Sequence, residues 1–231
     1  MRRQKVNFAC VTGVTLGAGA TLQGQDGQVP AEGQEAALLA VLKSNRSEKD
    51  KADACLQLAR VGTKASVGPL AALLGDEKLS HMARYALEPI PDSSVDDALR
   101  EAAGHVEGRN LVGVIGSIGA RRDVKAADLL CQHLTDHNAD TAQAAARALG
   151  SLGTDAASKA LEEALTKSPE ANRQAVYEGL FRCAEVLADR GQPVAALAIY
   201  DRLDQPQSPR QVRDGAAHRA RMLRQEKGQT I

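Results

Sequence analysis

The chain has 231 residues with no Trp, two Phe and three Tyr, yet 43% of it is hydrophobic, carried by Ala, Leu and Val. Such a core is assembled from many small contacts between closely approaching helices, and the scarcity of aromatic and β-branched residues argues against a sandwich or barrel. Lys plus Arg equals Asp plus Glu at 29 each, so net charge supplies no reason to expect nucleic acid or an anionic membrane as partner.

Residues 1–20 read as a secretory signal peptide. Arg2, Arg3 and Lys5 precede a mildly apolar stretch, residues 6–16, and Ala18, Gly19 and Ala20 form a small-x-small cleavage site. This predicts a periplasmic or secreted protein; the alternative is a cytoplasmic chain with an unstructured N-terminus. Cleavage would remove three basic residues and no acid, leaving 26 against 29. No later segment reaches the ~18–20 apolar residues that a membrane span needs. Residues 21–33, rich in Gly and Gln, predict a flexible linker, and residues 34–43 predict a first helix with Leu38, Leu39 and Leu42 turned inward.

From residue 48 a phrase recurs in which an apolar helix ends at a turn and a second helix follows. Its anchors are Val61, Ile90, Ile118 and Leu152, spaced 29, 28 and 34 residues apart. Apolar positions at i, i+3, i+4 and i+7 lead into the last three anchors: Ala83, Ala86, Leu87 and Ile90; Leu111, Val114, Ile115 and Ile118; Ala145, Ala148, Leu149 and Leu152. One helix pair cannot cover such a face, so neighbouring pairs must stack. The second helices carry Val67, Leu70 and Leu74, then Val124, Ala127 and Cys131, then Ser158, Leu161 and Leu165. Cys131 thereby falls where other units place Leu, which reads it as a core residue. Cys10, Cys55, Cys131 and Cys183 fit neither a metal motif nor a disulfide framework.

Residues 146–165, Ala-Arg-Ala-Leu-Gly-Ser-Leu-Gly-Thr-Asp-Ala-Ala-Ser-Lys-Ala-Leu-Glu-Glu-Ala-Leu, resemble a HEAT repeat of the bacterial phycobilisome-lyase-like kind. The similarity covers residues 48–166, and residues 79–123 also resemble HEAT stretches of exported bacterial proteins. The resemblance implies an all-α fold, an α-α superhelix in which antiparallel helix pairs form a right-handed solenoid, and protein binding far more often than catalysis. The expected HEAT-like domain is residues 34–166. Residues 188–203 resemble the second half of a tetratricopeptide unit, so residues 167–204 are expected to form a tetratricopeptide-like pair. Residues 205–231 are expected to supply a linker and an unpaired terminal helix.

Val212, Ala216, Ala220 and Leu223 line one side of that terminal helix, and with no partner helix in sequence they predict a docking surface for a missing C-terminal domain or a dimer partner. Arg84, Arg109, Arg121, Arg122 and Arg147 are candidates to line one surface and hold a partner's carboxylate or phosphate; the competing reading is a solvated face. His133 and His137 stand four apart beside Asp136 and Asp140, a conceivable metal site if one helix carries both, although Asn138 and Asp140 read equally well as a turn and N-cap. Gly113, Gly116 and Gly119 recur every third residue between helices, which suits close helix approach and the turn and not a phosphate loop.

These residues predict no cofactor and no enzyme, but a scaffold binding a protein or peptide on the surface formed by the second helices. Two alternatives remain: the helical arm of a larger exported enzyme truncated at this C-terminus, and a HEAT-like lyase or nucleic-acid-binding module. The last is opposed by the absence of Trp and of positive net charge.

Overall fold

Side-chain caps mark where the helices begin. Ser47, Thr63, Asn138 and Thr154 each turn a side-chain oxygen onto a first-turn amide of the helix that follows, Asn138 accepting from Asp140 N at 2.9 Å and Thr141 N at 3.3 Å. Pro193 opens another helix at a position that needs no N–H. Gly153 and Arg122 close two helices in the left-handed region, at φ 58° and 55°.

The computed structural model describes residues 31–228. Its helices are α1 (Ala31–Lys43), α2 (Glu48–Val61), α3 (Lys64–Ala71), α4 (Ser80–Leu87), α5 (Ser94–Ala103), α6 (Gly108–Arg121), α7 (Ala127–His133), α8 (Ala139–Leu152), α9 (Asp155–Lys167), α10 (Glu170–Asp189), α11 (Pro193–Leu203) and α12 (Arg210–Gly228). A 3-10 turn, Val124–Ala126, leads into α7. There is no strand among the described residues, and the architecture is an α-α superhelix. Residues 1–20, expected to be a signal peptide, and most of the linker expected at 21–33 lie outside the described residues, but positions 31–33 belong to α1 and not to the linker.

Helices α2, α4, α6, α8 and α10 pack side by side as a first layer, backed by α3, α5, α7 and α9. At one end α1 covers α2 and α3, and Glu35 ties it to the start of α3 by accepting from Thr63 N at 2.8 Å and Ser66 Oγ at 2.5 Å. The core runs between the layers through fully buried Leu58, Leu87, Leu99, Ile118, Leu130, Leu149 and Leu161.

The joints between first-layer helices differ in chemistry. Gly119 lies against Ala148 where α6 meets α8, and Gly150 lies against Gly179 where α8 meets α10, each so close that a Cβ would overlap the neighbouring backbone. The α4–α6 joint is polar: Arg84 donates to Gly113 O at 3.2 Å, and Ser117 donates to Glu88 at 2.7 Å.

Three sequence expectations change. Gly119 does not mark the turn, because α6 continues to Arg121 and the left-handed cap falls on Arg122. The tighter winding of the 3-10 turn rotates α7, so that Ala126, Leu130 and Leu134 enter the core while Val124 is exposed and Cys131 only half-buried. The terminal helix is not unpaired either. It packs on α11 and also touches α10, burying Ala216 and Ala220 and leaving Val212 and Leu223 half-buried at the margin, so much of that apolar face is covered within the chain.

Candidate functional site

The five candidate arginines separate. Arg121 is committed: its side chain is 13% exposed, ion-paired with Asp96, and donates to Glu88 O at 2.8 Å, Ile90 O at 2.9 Å and Asp92 O at 3.2 Å. It satisfies the carbonyls that follow α4 and fixes the segment containing Pro89 and Pro91. Arg190, which no sequence pattern singled out, does the same for α8, donating to Leu152 O and Gly153 O at 2.9 Å. Arg122 is exposed at the α6 cap, on the far side of that turn's business. Arg84 is half-buried over Gly113, where burial pulls its pKa below the usual value and neighbouring Glu88 pushes back.

Arg109 and Arg147 come together. Both line a cavity of about 340 Å³ between the N-terminal ends of α6 and α8, with Val112, Asp140, Gln143 and Ala144. Arg109 is exposed and makes no hydrogen bond or ion pair among the described residues, whereas Arg147 holds Glu178 at 3.0 Å in a pair half-open to solvent.

The histidine pair does not form a metal site. Helix α7 ends at His133, and His137 sits in the bend beyond it, so the i, i+4 geometry that would have aligned two imidazoles is lost. His133 instead contacts Asp136 at 3.3 Å, while Asp136 receives Asn138 N at 2.9 Å and shapes the turn before α8. Hydrogen bonding from Asn138 N holds the Asp136 carboxyl below its ordinary pKa, against burial, with His133 adding to the effect. Among the described residues no group of three or more His, Cys, Asp or Glu could hold a metal ion. Ala216 is buried and Leu223 partly buried, so the three do not form one open face; half-buried Val212 instead lines a cleft of about 350 Å³ between α10 and α12 with Tyr177, Phe181 and Gly215.

What the structure adds is a trough along α6. Residues Arg109, Val112, Gly116 and Ala120 recur at three- and four-residue spacing and so share one helix face, which is exposed or half-exposed along its length. Beside the Ala120 end a second cavity, about 670 Å³, is lined by Ala59 and Arg60 of α2, Tyr85 of α4, the segment 88–91, and Ala120 and Arg121. Tyr85 is 52% exposed. Longer side chains flank the trough, Tyr85 on the α4 side and Gln143 and Arg147 on the α8 side. Gly116 lies open at the middle, with nothing within 4 Å of where a Cβ would stand. This face belongs to the first helices of the pairs, whereas the binding surface expected from the sequence is that of the second helices.

Residues 97–180 match the family described as HEAT repeats. The match spans just over a third of the chain, from α5 into α10, and so covers the trough floor, its α8 wall and the opening of the segment expected to be tetratricopeptide-like. No curated protein sequence matches the chain. Among solved structures, it is similar to one engineered protein of the Northeast Structural Genomics Consortium at 18% identity and a TM-score of 0.45, covering 85% of this chain and 92% of that one. A second engineered protein from the same consortium is similar at 20% identity and a TM-score of 0.46, covering 83% of this chain and 58% of the other. The HEAT-repeat match and the layered helices together define a helical-repeat scaffold fold. No described helix is long and apolar enough to cross a membrane.

Proposed function

We propose that this protein is a polypeptide-binding scaffold whose working surface is the trough along α6. The observation that carries this reading is the pairing of an open, small-residue floor with two preformed cavities at its ends, one containing the arginines Arg109 and Arg147 and the other containing Tyr85 above a clamped proline segment. Tyr and Arg are the residue types that dominate binding energy at protein interfaces. Because Arg121 fixes the segment 88–91 before a partner arrives, less conformational entropy is lost on binding. Export through residues 1–20 and a tetratricopeptide-like role for residues 167–204 belong to the same proposal, which places the scaffold in the periplasm or outside the cell.

A photo-crosslinking residue at position 116, compared with one at exposed Lys125 on the opposite layer, tests the surface in living cells. Polypeptide adducts formed at 116 and not at 125 are the expected result. Equal labelling at both positions, or none at 116, rules the trough out.

A further inference from the structure

We infer that this chain pairs with a second copy of itself through α12. Two α12 helices lie antiparallel across a two-fold axis, and Met222 of each copy enters the cleft between α10 and α12 of the other. This interface does not depend on the polypeptide-binding reading, because it uses a different part of the stack.

The cleft exists because the last first-layer joint stays open. Glycine closes the α6–α8 and α8–α10 contacts, but between α10 and α12 stands the ring of Phe181, fixed edge-to-face on buried Tyr200 at 5.3 Å between ring centres. Gly215 rests against that ring, and a Cβ there would meet it at 3.4 Å. What remains is about 350 Å³ above an apolar floor of Tyr177, Phe181, Val212 and Gly215. The charges on the rim are settled within the chain, Glu178 by Arg147 at 3.0 Å and Glu185 by Arg219 at 3.7 Å, while Arg182 is exposed and free to turn to water. An apolar group can therefore fill the floor without stranding a charge.

A group that fits stands on the same helix. Met222, 41% exposed, lies seven residues beyond Gly215 and so on the flank of α12 that carries Gln211 and Gly215 into the cleft lining. It stands about 10 Å farther along the helix at 1.5 Å per residue, out of reach of its own cleft. A two-fold axis crossing α12 at right angles between Ala217 and His218 reverses the helix and brings the partner's Met222 level with position 213, between Val212 and Gly215 and on the cleft side. The flexible thioether side chain suits an irregular gap of this kind.

Charge fixes the occupant as a second copy. The same axis sets Asp214 opposite the partner's Arg221, and Arg221 opposite the partner's Asp214. Asp214, His218 and Arg221 are all exposed and recur at four- and three-residue spacing on one face. Arg221 has no acidic partner among the described residues and donates only to Ala217 O of its own helix, at 3.3 Å. Asp214 is held only by Arg210, at 3.6 Å in a pair so exposed that it gives way at little cost. One surface thus supplies knob and hole, and both signs of charge, in two-fold register, as an isologous contact requires. An unrelated partner would explain the cleft but not the register. Two helix faces bury less than a permanent dimer does, so the association is weak and reversible.

Sedimentation velocity of the full chain over a wide range of concentration is expected to show a monomer–dimer equilibrium. Asp214→Arg or Arg221→Asp alone sets like charges face to face at two points and should weaken association about tenfold or more, whereas the doubly exchanged Asp214→Arg/Arg221→Asp chain should recover it. Met222→Ser should weaken it to a similar extent. These positions are exposed, so circular dichroism spectra and unfolding midpoints of the dilute variants should stay unchanged. A chain that remains monomeric throughout overturns the inference and leaves the cleft to a different protein. Dimers that ignore the two single exchanges and Met222→Ser overturn the use of α12, and single exchanges that weaken association without recovery in the double exchange overturn the antiparallel register. The crosslinking result at position 116 bears on the polypeptide-binding reading alone.

Discussion

Gly150 of α8 and Gly179 of α10 face each other so closely that a Cβ on Gly150 would fall on the backbone of Gly179, and one on Gly179 would meet the Ala146 carbonyl. This contact joins two first-layer helices without a side chain between them. Gly150→Ala is therefore expected to destabilise the protein despite the better helix propensity of Ala, since overpacking a closed joint costs about 1–3 kcal/mol. Gly116→Ala, in the same layer but with open space where its Cβ would stand, is expected to gain up to about 1 kcal/mol. Urea unfolding midpoints of the two variants should move in opposite directions; a gain for Gly150→Ala would show that α8 and α10 separate freely.

Arg121 is the second test. Replacing it with Met keeps much of its volume but leaves the carbonyls of Glu88 and Ile90, and the carboxylate of Asp96, without their partner. The expected loss is about 2–3 kcal/mol, and Arg121→Lys should restore little, because a single ammonium cannot reproduce the fork. Amide hydrogen exchange should rise at positions 88–92 before it rises in α8. Unchanged exchange there would mean that the two prolines alone fix the segment.

The contrast between Arg121 and its neighbour Arg122 illustrates what the sequence could and could not disclose. Helices α6 and α8 were legible because Leu111, Val114, Ile115 and Ile118, and then Ala145, Ala148, Leu149 and Leu152, repeat on a helical period that buried faces require, and all are buried. The end of α6 was not legible, because a non-glycine residue, Arg122 at φ 55°, takes the cap that glycine usually marks. That shift of the turn sends Arg121 back onto α4 and Arg122 outward. His133 and His137 were misplaced for the same kind of reason: periodicity predicts alignment only while the helix lasts. The exposed stripe Arg109, Val112, Gly116 and Ala120 could have been read from its spacing, but the convergence of Arg109 with Arg147, and of Arg60 with Tyr85, depends on how successive pairs stack.

Glu35 links stability to pH. Burial tends to raise its pKa, but hydrogen bonds from Ser66, the Thr63 amide and the Thr63 hydroxyl outweigh that effect and hold it below its ordinary value. A carboxylate with a lowered folded-state pKa contributes stability that is fully present above the unfolded-state value, near 4.5, and is lost as pH falls through the lower folded value. Acidification below about pH 4.5 should therefore loosen α1 from α3 before the central pairs. Glu35→Gln should be less stable at pH 7 and show a flatter response over that range. A variant whose acid unfolding curve overlays that of the parent would remove Glu35 as the coupling group.

Cysteine reactivity supplies the last test, because it reads the core directly. Cys55 and Cys183 are fully buried, and burial pushes each thiol up to about 11, with the weak contact from Cys183 Sγ to Thr154 O lying at 3.6 Å. The thiolate is the reactive species, so at pH 8 both should resist a maleimide or an aromatic disulfide reagent in the folded protein and react only on opening. Cys131 is half-buried at the rotated α7 face; burial raises its pKa as well, with Asp128 and Glu163 adding to the shift, but its exposure should make it react first. Mass spectrometry of briefly labelled protein, digested and mapped, should find Cys131 modified well ahead of Cys55 and Cys183. Labelling of Cys183 at the Cys131 rate would mean that α10 opens from α8 and α9 far more often than the tight Gly150–Gly179 joint between α8 and α10 allows.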